Sequence, residues 1–224
     1  MKKRTTFDVI IVGGGLAGLT SAIHLSSRNK RVLLIEKNEY PKHKVCGEYI
    51  SNEVLPYLNS LGIHPISQGA KQITKVQIST TKSKLIKGKL PLGGFGMSRF
   101  FLDDLLVKKA SINGVEVIKE KVDGIHFKKD TFTVTTKKSK VFKSKVVIGA
   151  FGKRSILDQK INRKFFQKKS DYLAVKTHVK GVFPDNVVAL HNFEGGYCGV
   201  SMVENNAINL CYITEYRMFK KHKT

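Results

Sequence analysis

The chain has 224 residues, 41% of them hydrophobic and 9% aromatic, enough apolar material to bury a core and too much for wholesale disorder. Lysine and arginine number 40 against 17 acidic residues, for a formal net charge of +23, but only seven of the 40 are arginine and the lysines are scattered along the whole length. A nucleic-acid binder concentrates arginine among aromatic residues or carries a known module; neither pattern is present, and the charge is read as a solvated surface, with peripheral contact to anionic lipid and steering of anionic substrates left open.

Met1-Lys2-Lys3-Arg4 followed by an apolar run has the polarity of a signal peptide, but Asp8 and Gly13-Gly14-Gly15 interrupt the run. Val9 to Leu19 is also too short for a membrane span, and the expectation is a folded cytoplasmic domain. Phe7-Asp8-Val9-Ile10-Ile11-Val12 reads as a parallel strand buried on both faces. It runs into Gly13-Gly14-Gly15-Leu16-Ala17-Gly18, a G-x-G-x-x-G, then a helical pattern with Leu19, Ala22, Ile23 and Leu25 on one side. A second strand, Arg31-Val32-Leu33-Leu34-Ile35, ends in Glu36. This is a βαβ unit with an acidic residue closing its second strand. Gly13 permits the tight turn, Gly15 lets a pyrophosphate approach the N–H groups at the helix start, and Gly18 with Ala22 lets the helix lie close to the sheet. Glu36 is placed to accept hydrogen bonds from ribose hydroxyls and to repel the 2′-phosphate of NADP. Glycine-rich turns recur by chance, but strand, turn, helix, second strand and terminal acid in register point to a dinucleotide site. Spacing does not separate NAD from FAD.

Further along, a hairpin over residues 72–90 turns near Thr80-Thr81-Lys82-Ser83. Strands ending at Ile118 and Ile148 complete a parallel sheet, and residues 121–143 form a small β-meander in which Phe132 and Val134 share a face. Lys137, Lys138, Lys140, Lys143 and Lys145 read as its solvated side. Strands over residues 172–179, 187–193, 197–203 and 207–213 follow, with Asn205-Asn206 as a hairpin turn, since asparagine tolerates positive φ. The three cysteines, Cys46, Cys198 and Cys211, have no C-x-x-C spacing and no neighbouring histidine pair, and support neither a disulfide framework nor a metal site. Cys198 and Cys211 read as buried thiols, whereas Cys46 follows two lysines and a histidine.

Four segments in order resemble the geranylgeranyl reductase family of FAD-dependent oxidoreductases, within the wider class of aromatic hydroxylases and flavin halogenases. They are the glycine-rich βαβ unit, Tyr40-Pro41-Lys42-His43-Lys44-Val45-Cys46-Gly47-Glu48, Gly96-Met97-Ser98-Arg99-Phe100-Phe101-Leu102-Asp103-Asp104-Leu105-Leu106, and Val146-Val147-Ile148-Gly149-Ala150-Phe151-Gly152-Lys153-Arg154-Ser155. The resemblance covers roughly the first 155 residues and implies bound FAD. It implies that Gly13, Gly15, Leu16, Ala17 and Gly18 hold the pyrophosphate and that Glu36 and Lys37 line the adenosine ribose. It further places Cys46 and Gly47 near the isoalloxazine, Arg99 by the pyrophosphate or ribityl chain, Val122 beside the adenine, and Ala150 and Gly152 on the far side. The alternative for Arg99, ranked behind the flavin role, is to cap its own helix turn or pair with Asp103.

Three departures stand against the pattern. Phe151 replaces the family's Asp. Gly195-Gly196-Tyr197-Cys198-Gly199-Val200-Ser201-Met202 keeps Tyr197 but lacks the Tyr-x-Trp-x-Phe-Pro of polyprenyl reductases, so a polyprenyl substrate is not supported, and the halogenase Trp-x-Trp-x-Ile-Pro is missing too. The family's C-terminal Gly-Asp segment is not found, so the chain looks like the first half to two-thirds of a longer flavoprotein. The expected α/β architecture is a Rossmann-like FAD-binding domain, a parallel sheet with a β-meander, over residues 1–65 and 97–160. A mainly antiparallel substrate-domain sheet, incomplete, occupies 66–96 and 161–224. The expected function is an FAD-dependent oxidoreductase acting on a small or lipid-like organic substrate with NAD(P)H as donor. An FAD-dependent monooxygenase using NAD(P)H and oxygen, and a truncated non-catalytic dinucleotide-binding chain, are the alternatives. No catalytic residue is assigned; His43, His178 and His191 are candidates only by type.

Overall fold

A computed structural model of the chain describes residues 5–153, 155–164 and 170–221. In chain order its strands begin with β1 Thr6–Val12, β2 Val32–Glu36, β3 Tyr49–Ser51, β4 Lys71–Ser79 and β5 Leu85–Gly96. They continue with β6 Glu116–Lys119, β7 Val122–Lys128, β8 Thr131–Thr136 and β9 Val141–Gly149, then β10 Tyr172–Val179, β11 Val187–Phe193, β12 Gly196–Met202 and β13 Ile208–Glu215. The helices are α1 Leu16–Ser27, α2 Leu55–Ser60, α3 Arg99–Ile112, α4 Ile156–Lys160 and α5 Tyr216–Lys221. The chain's own contacts divide it into two units, Met1–Lys42 with Asp103–Lys169 and His43–Leu102 with Ser170–Thr224.

The first unit is built on a six-stranded sheet of order β6-β2-β1-β9-β8-β7. β6, β2, β1 and β9 are parallel, and β9, β8 and β7 are antiparallel. The apolar run of β1 is buried on both sides, as a β-branched strand between covered faces must be. Phe7, Ile10 and Val12 join Leu33, Ile35, Val122, Val134, Phe142 and Leu157 in one core cluster, with the Phe7 and Phe142 rings edge-on at 6.3 Å. Val9, Ile11 and the α1 residues Leu19, Ala22 and Ile23 are buried as well. The parallel strands and the meander are both present, with one difference. The last meander strand and the strand ending near Ile148 are a single strand, β9, which pairs with β8 at its first half and with β1 along most of its length.

The second unit carries a seven-stranded sheet of order β10-β13-β12-β11-β4-β5-β3. Every neighbouring pair is antiparallel except β11 with β4. The β4–β5 hairpin turns at the expected place, where Thr80 Oγ1 accepts from the N–H groups of Lys82 and Lys84 at 3.3 and 3.2 Å. Asn205 and Asn206 adopt φ of 57° and 56°, the left-handed conformation that asparagine tolerates.

Among the described residues, the division of the chain differs from the expected one at three segments. Residues 43–65 and 97–102 fall with the seven-stranded sheet rather than with the six-stranded one, and residues 161–164 fall with the six-stranded one. For the first two segments the reason is a pairing between distant parts of the chain: β3 pairs with Gly94–Gly96 of β5, and the Met97 N–H donates to the Glu48 carbonyl at 3.1 Å. Among the described residues no helix is long and apolar enough to cross a membrane.

Phe142 sits in the core where β9 leaves the meander, so Phe142→Ala should lower unfolding stability by about 3–5 kcal/mol through lost contacts and a residual cavity. Urea unfolding followed by far-ultraviolet circular dichroism measures it; a change below about 1 kcal/mol would mean that the ring is not part of the core.

Candidate functional site

The site of interest in the first unit begins where β1 stops. Gly13 has φ +106°, and a Cβ there would stand 2.3 Å from the Ala150 carbonyl oxygen, so only glycine can make this turn. The Gly13 N–H donates to the Ile35 carbonyl at 2.9 Å, and Ala150 N–H to that of Val12 at 2.8 Å, which pins the turn between neighbouring strand ends. At Gly18 a Cβ would come within 1.9 Å of the Gly13 carbonyl oxygen, which explains how α1 approaches the turn so closely. Gly15 is different. Its φ of −84° and ψ of −171° are extended backbone open to any residue, so the backbone does not demand glycine there. The position instead bounds the space in front of α1.

That space suits an anion. α1 begins without a side-chain cap and without an acidic residue in its first turn, and its first residues, Leu16 and Ala17, are half-buried and exposed. The N–H groups opening a helix have no intrahelical acceptor, and the helix dipole adds a partial positive charge. The residues present therefore fit a pyrophosphate.

Glu36, at the end of β2, is buried and already engaged. One carboxylate oxygen accepts from the Gly14 N–H at 2.7 Å, and the other accepts from the Asn38 N–H at 2.9 Å and from Asn38 Nδ2 at 2.7 Å. It props the glycine turn from beneath, a role that its place in the sequence did not announce. A carboxylate offers about four lone-pair positions, so one remains for a ribose hydroxyl. Gly14 is clamped from the other side as well: Tyr40 donates its hydroxyl to the Gly14 carbonyl at 2.6 Å, and a Cβ on Gly14 would stand 1.6 Å from that hydroxyl. Reading the motif as three functional glycines missed Gly14, whose partner lies 26 residues away.

A cleft of about 70 Å³ opens beside this turn, lined by Gly13, Glu36, Lys37, Val122 and Phe151 among others. Lys37 is exposed, while Val122 belongs to the buried cluster. Ala150 is half-buried against the turn, and Gly152 is exposed with φ +74°. Phe151, in the place of an expected acid, packs on the core cluster and folds back over Gly149. It supplies an apolar wall where a charge was anticipated.

The remaining sequence-predicted residues, Cys46, Gly47 and Arg99, lie together in the second unit around a residue that sequence reasoning did not single out. Glu48 is fully buried and accepts from the Arg99 backbone N–H at 2.8 Å, with Lys176 Nζ and His178 Nε2 each 2.6 Å from its carboxylate. Asn209 Nδ2 donates to the Gly47 carbonyl at 2.8 Å and more weakly to that of Cys46. At the head of α3, Ser98 caps the helix by accepting from the Phe101 N–H, while Glu204 accepts both the N–H and the hydroxyl of Ser98. These partners are 51 to 130 residues from Glu48 and 106 from Ser98, beyond the reach of any local pattern.

The three histidines each have a structural partner. His43 stacks on Phe100 with centroids 4.6 Å apart, His178 meets Glu48, and His191 Nδ1 lies 3.0 Å from the Ser79 hydroxyl. Partial desolvation, helped by the nearby Lys176 and His178, holds the solvent-exposed His43 below the usual histidine range. Cys198 and Cys211 are only half-buried, contrary to expectation, and burial still pushes both thiols up.

With this geometry in hand, residues 8–45 match the FAD dependent oxidoreductase family (DAO). The glycine-turn segment is that of an FAD-dependent oxidoreductase. An uncharacterized protein of Methanosarcina barkeri is 31% identical over 166 residues, covering 72% of this chain and 41% of that protein. A digeranylgeranylglycerophospholipid reductase of Methanococcus vannielii is 26% identical over 161 residues, 69% of this chain and 40% of the reductase. The chain spans less than half the length of these two relatives. Among solved structures, a geranylgeranyl bacteriochlorophyll reductase-like protein from Thermoplasma acidophilum superposes with a TM-score of 0.77 at 21% identity, over 96% of this chain and 58% of that one. The fold is that of the FAD-dependent oxidoreductases, as the resemblance implied.

Two outcomes follow for the second unit. Glu48→Ala leaves Lys176, only 5% exposed, without its counter-charge and should cost about 3–5 kcal/mol in urea unfolding. A loss under about 1 kcal/mol would show that the pair is solvated. Because the folded state holds His43 below its unfolded value near 6.5, the stability it contributes is present above that value and is lost as pH falls through the lower folded one. Thermal melting between about pH 7.5 and about pH 5 should show this fall, and His43→Asn should flatten it.

Proposed function

We propose that the chain binds FAD and works as an FAD-dependent oxidoreductase on a lipid-like organic substrate, with NAD(P)H as electron donor. The observation that carries this is the start of α1, which has no side-chain cap and whose N-cap residue, Gly15, has an ordinary extended backbone that does not demand glycine. The match of residues 8–45 to the FAD dependent oxidoreductase family supports the same cofactor. The lipid-like substrate rests on the digeranylgeranylglycerophospholipid reductase among the relatives.

In this proposal the N–H groups at the head of α1, with Gly13, Gly15, Leu16, Ala17 and Gly18 around them, hold the pyrophosphate by hydrogen bonds and dipole. Glu36 gives its remaining lone pair to a ribose hydroxyl while continuing to support Gly14. Lys37 and Val122 border the cleft on the adenosine side, and Ala150 and Gly152 close the turn. The assignment of Cys46, Gly47 and Arg99 to the flavin end of the same molecule rests on the resemblance alone. When bound, the isoalloxazine supplies the redox chemistry; the protein's share is position, electrostatics and the exclusion of water.

Gly15→Val should abolish FAD binding without disturbing secondary structure, since its backbone angles suit valine while its side chain would fill the pyrophosphate's place. Fluorescence titration with FAD and circular dichroism read the two effects, and a folded variant of unchanged affinity would sink the proposal. Glu36→Ala should weaken ADP binding by about 1–3 kcal/mol, the scale of a hydrogen bond to a charged group.

A further inference from the structure

The longest stretch without an acidic residue is residues 54–102, which contains six lysines, Lys71, Lys75, Lys82, Lys84, Lys87 and Lys89. Five of these lie on the β4–β5 hairpin beyond Thr74, and among the described residues none of the five makes an ion pair. The pairing register sets Lys75 directly opposite Lys89. Like charges facing each other across an antiparallel pair repel, so this arrangement lowers the stability of the hairpin unless an anion lies over it. Residues 81–89 are all exposed, and in their midst Leu85 and Ile86 leave 48% and 62% of their surface in water. Ile86 faces Ile78, itself exposed, across the strands, and Leu92 adds a third open aliphatic side chain on β5.

We propose that the tip of the β4–β5 hairpin, residues 78–92, docks on an anionic lipid bilayer. Lys82, Lys84, Lys87 and Lys89 meet the headgroup phosphates, and Leu85 and Ile86 enter the boundary between headgroups and acyl chains. Adjacent open aliphatic residues flanked by lysine are what an interfacial anchor requires, the apolar pair for depth and the cations for the surface potential. A nucleic-acid surface would call for arginine forks or aromatic platforms, and this segment has neither. The proposal stands independently of the flavin site, because every residue in it belongs to the hairpin.

The test is co-sedimentation of the 224-residue protein, without added flavin, with vesicles of phosphatidylcholine alone and of phosphatidylcholine mixed with phosphatidylserine. Binding should require phosphatidylserine and weaken with salt. Lys87→Gln with Lys89→Gln should weaken it about thirtyfold, each lysine near an anionic surface being worth about fivefold in partition. Leu85→Ser with Ile86→Ser should weaken it at low salt too, whereas Lys137→Gln with Lys138→Gln, on the meander side of the first unit, should leave it close to unchanged. Circular dichroism confirms that each variant is folded. Unchanged binding by both hairpin variants would overturn the proposal, as would an equal loss in the meander variant, which would reduce the effect to net charge. A duplex oligonucleotide that binds the hairpin more tightly than the vesicles would overturn it as well.

Discussion

A buried carboxylate that accepts the backbone N–H of a tight turn underlies the nucleotide-binding half of this structure. Glu36 holds Gly14 in place from the end of the neighbouring strand, so the glycine turn is not a loop left to find its own conformation. An unpaired buried N–H costs as much as a lost hydrogen bond, and here the acceptor is charged, which makes the contact stronger still. With Tyr40 closing on the carbonyl of the same residue, the peptide groups flanking Gly14 are tied on both sides. The preorganised turn can then offer the N–H groups of α1 without a further ordering cost when an anion arrives.

The same device recurs in the second unit at the head of α3. Glu48 and Glu204 come from elements far apart in sequence and receive the N–H groups of Arg99 and Ser98. Two carboxylates at a helix N-terminus are favoured by its dipole, and their burial raises the stakes by making each an acceptor that must be satisfied. Glu48 meets that demand with Lys176 and His178, which fastens β10 to the segment around Cys46 and Gly47. The residues that family resemblance marks as functional are thus held by residues that it does not mark.

Much of this was legible from local pattern. The βαβ unit, the meander, the hairpin at Thr80 and the asparagine turn each depend on residues within a few positions of one another, where periodicity and turn chemistry operate. What escaped was long-range. The merging of two expected strands into β9 depends on pairing with both β1 and β8, and the allegiance of residues 43–65 depends on β3 finding β5. Glu48 looked like the tail of a motif because its partners come from α3 and β10. Phe151 was read as the loss of a charge, whereas packing shows it as a gain of core contact. Sequence spacing carries no information on such pairings until the sheet order is known.

The double pairing of β9 bears on how the first sheet opens. A strand that shares its hydrogen bonds with a parallel partner and with an antiparallel one cannot be peeled from either without exposing the other's edge. The meander and the βαβ unit are thereby joined into one cooperative block, and slow amide exchange in β1 should extend into β8 rather than stop at the boundary between parallel and antiparallel strands. The cleft beside Gly13 has walls from both parts of that block, so its shape is as durable as the sheet itself.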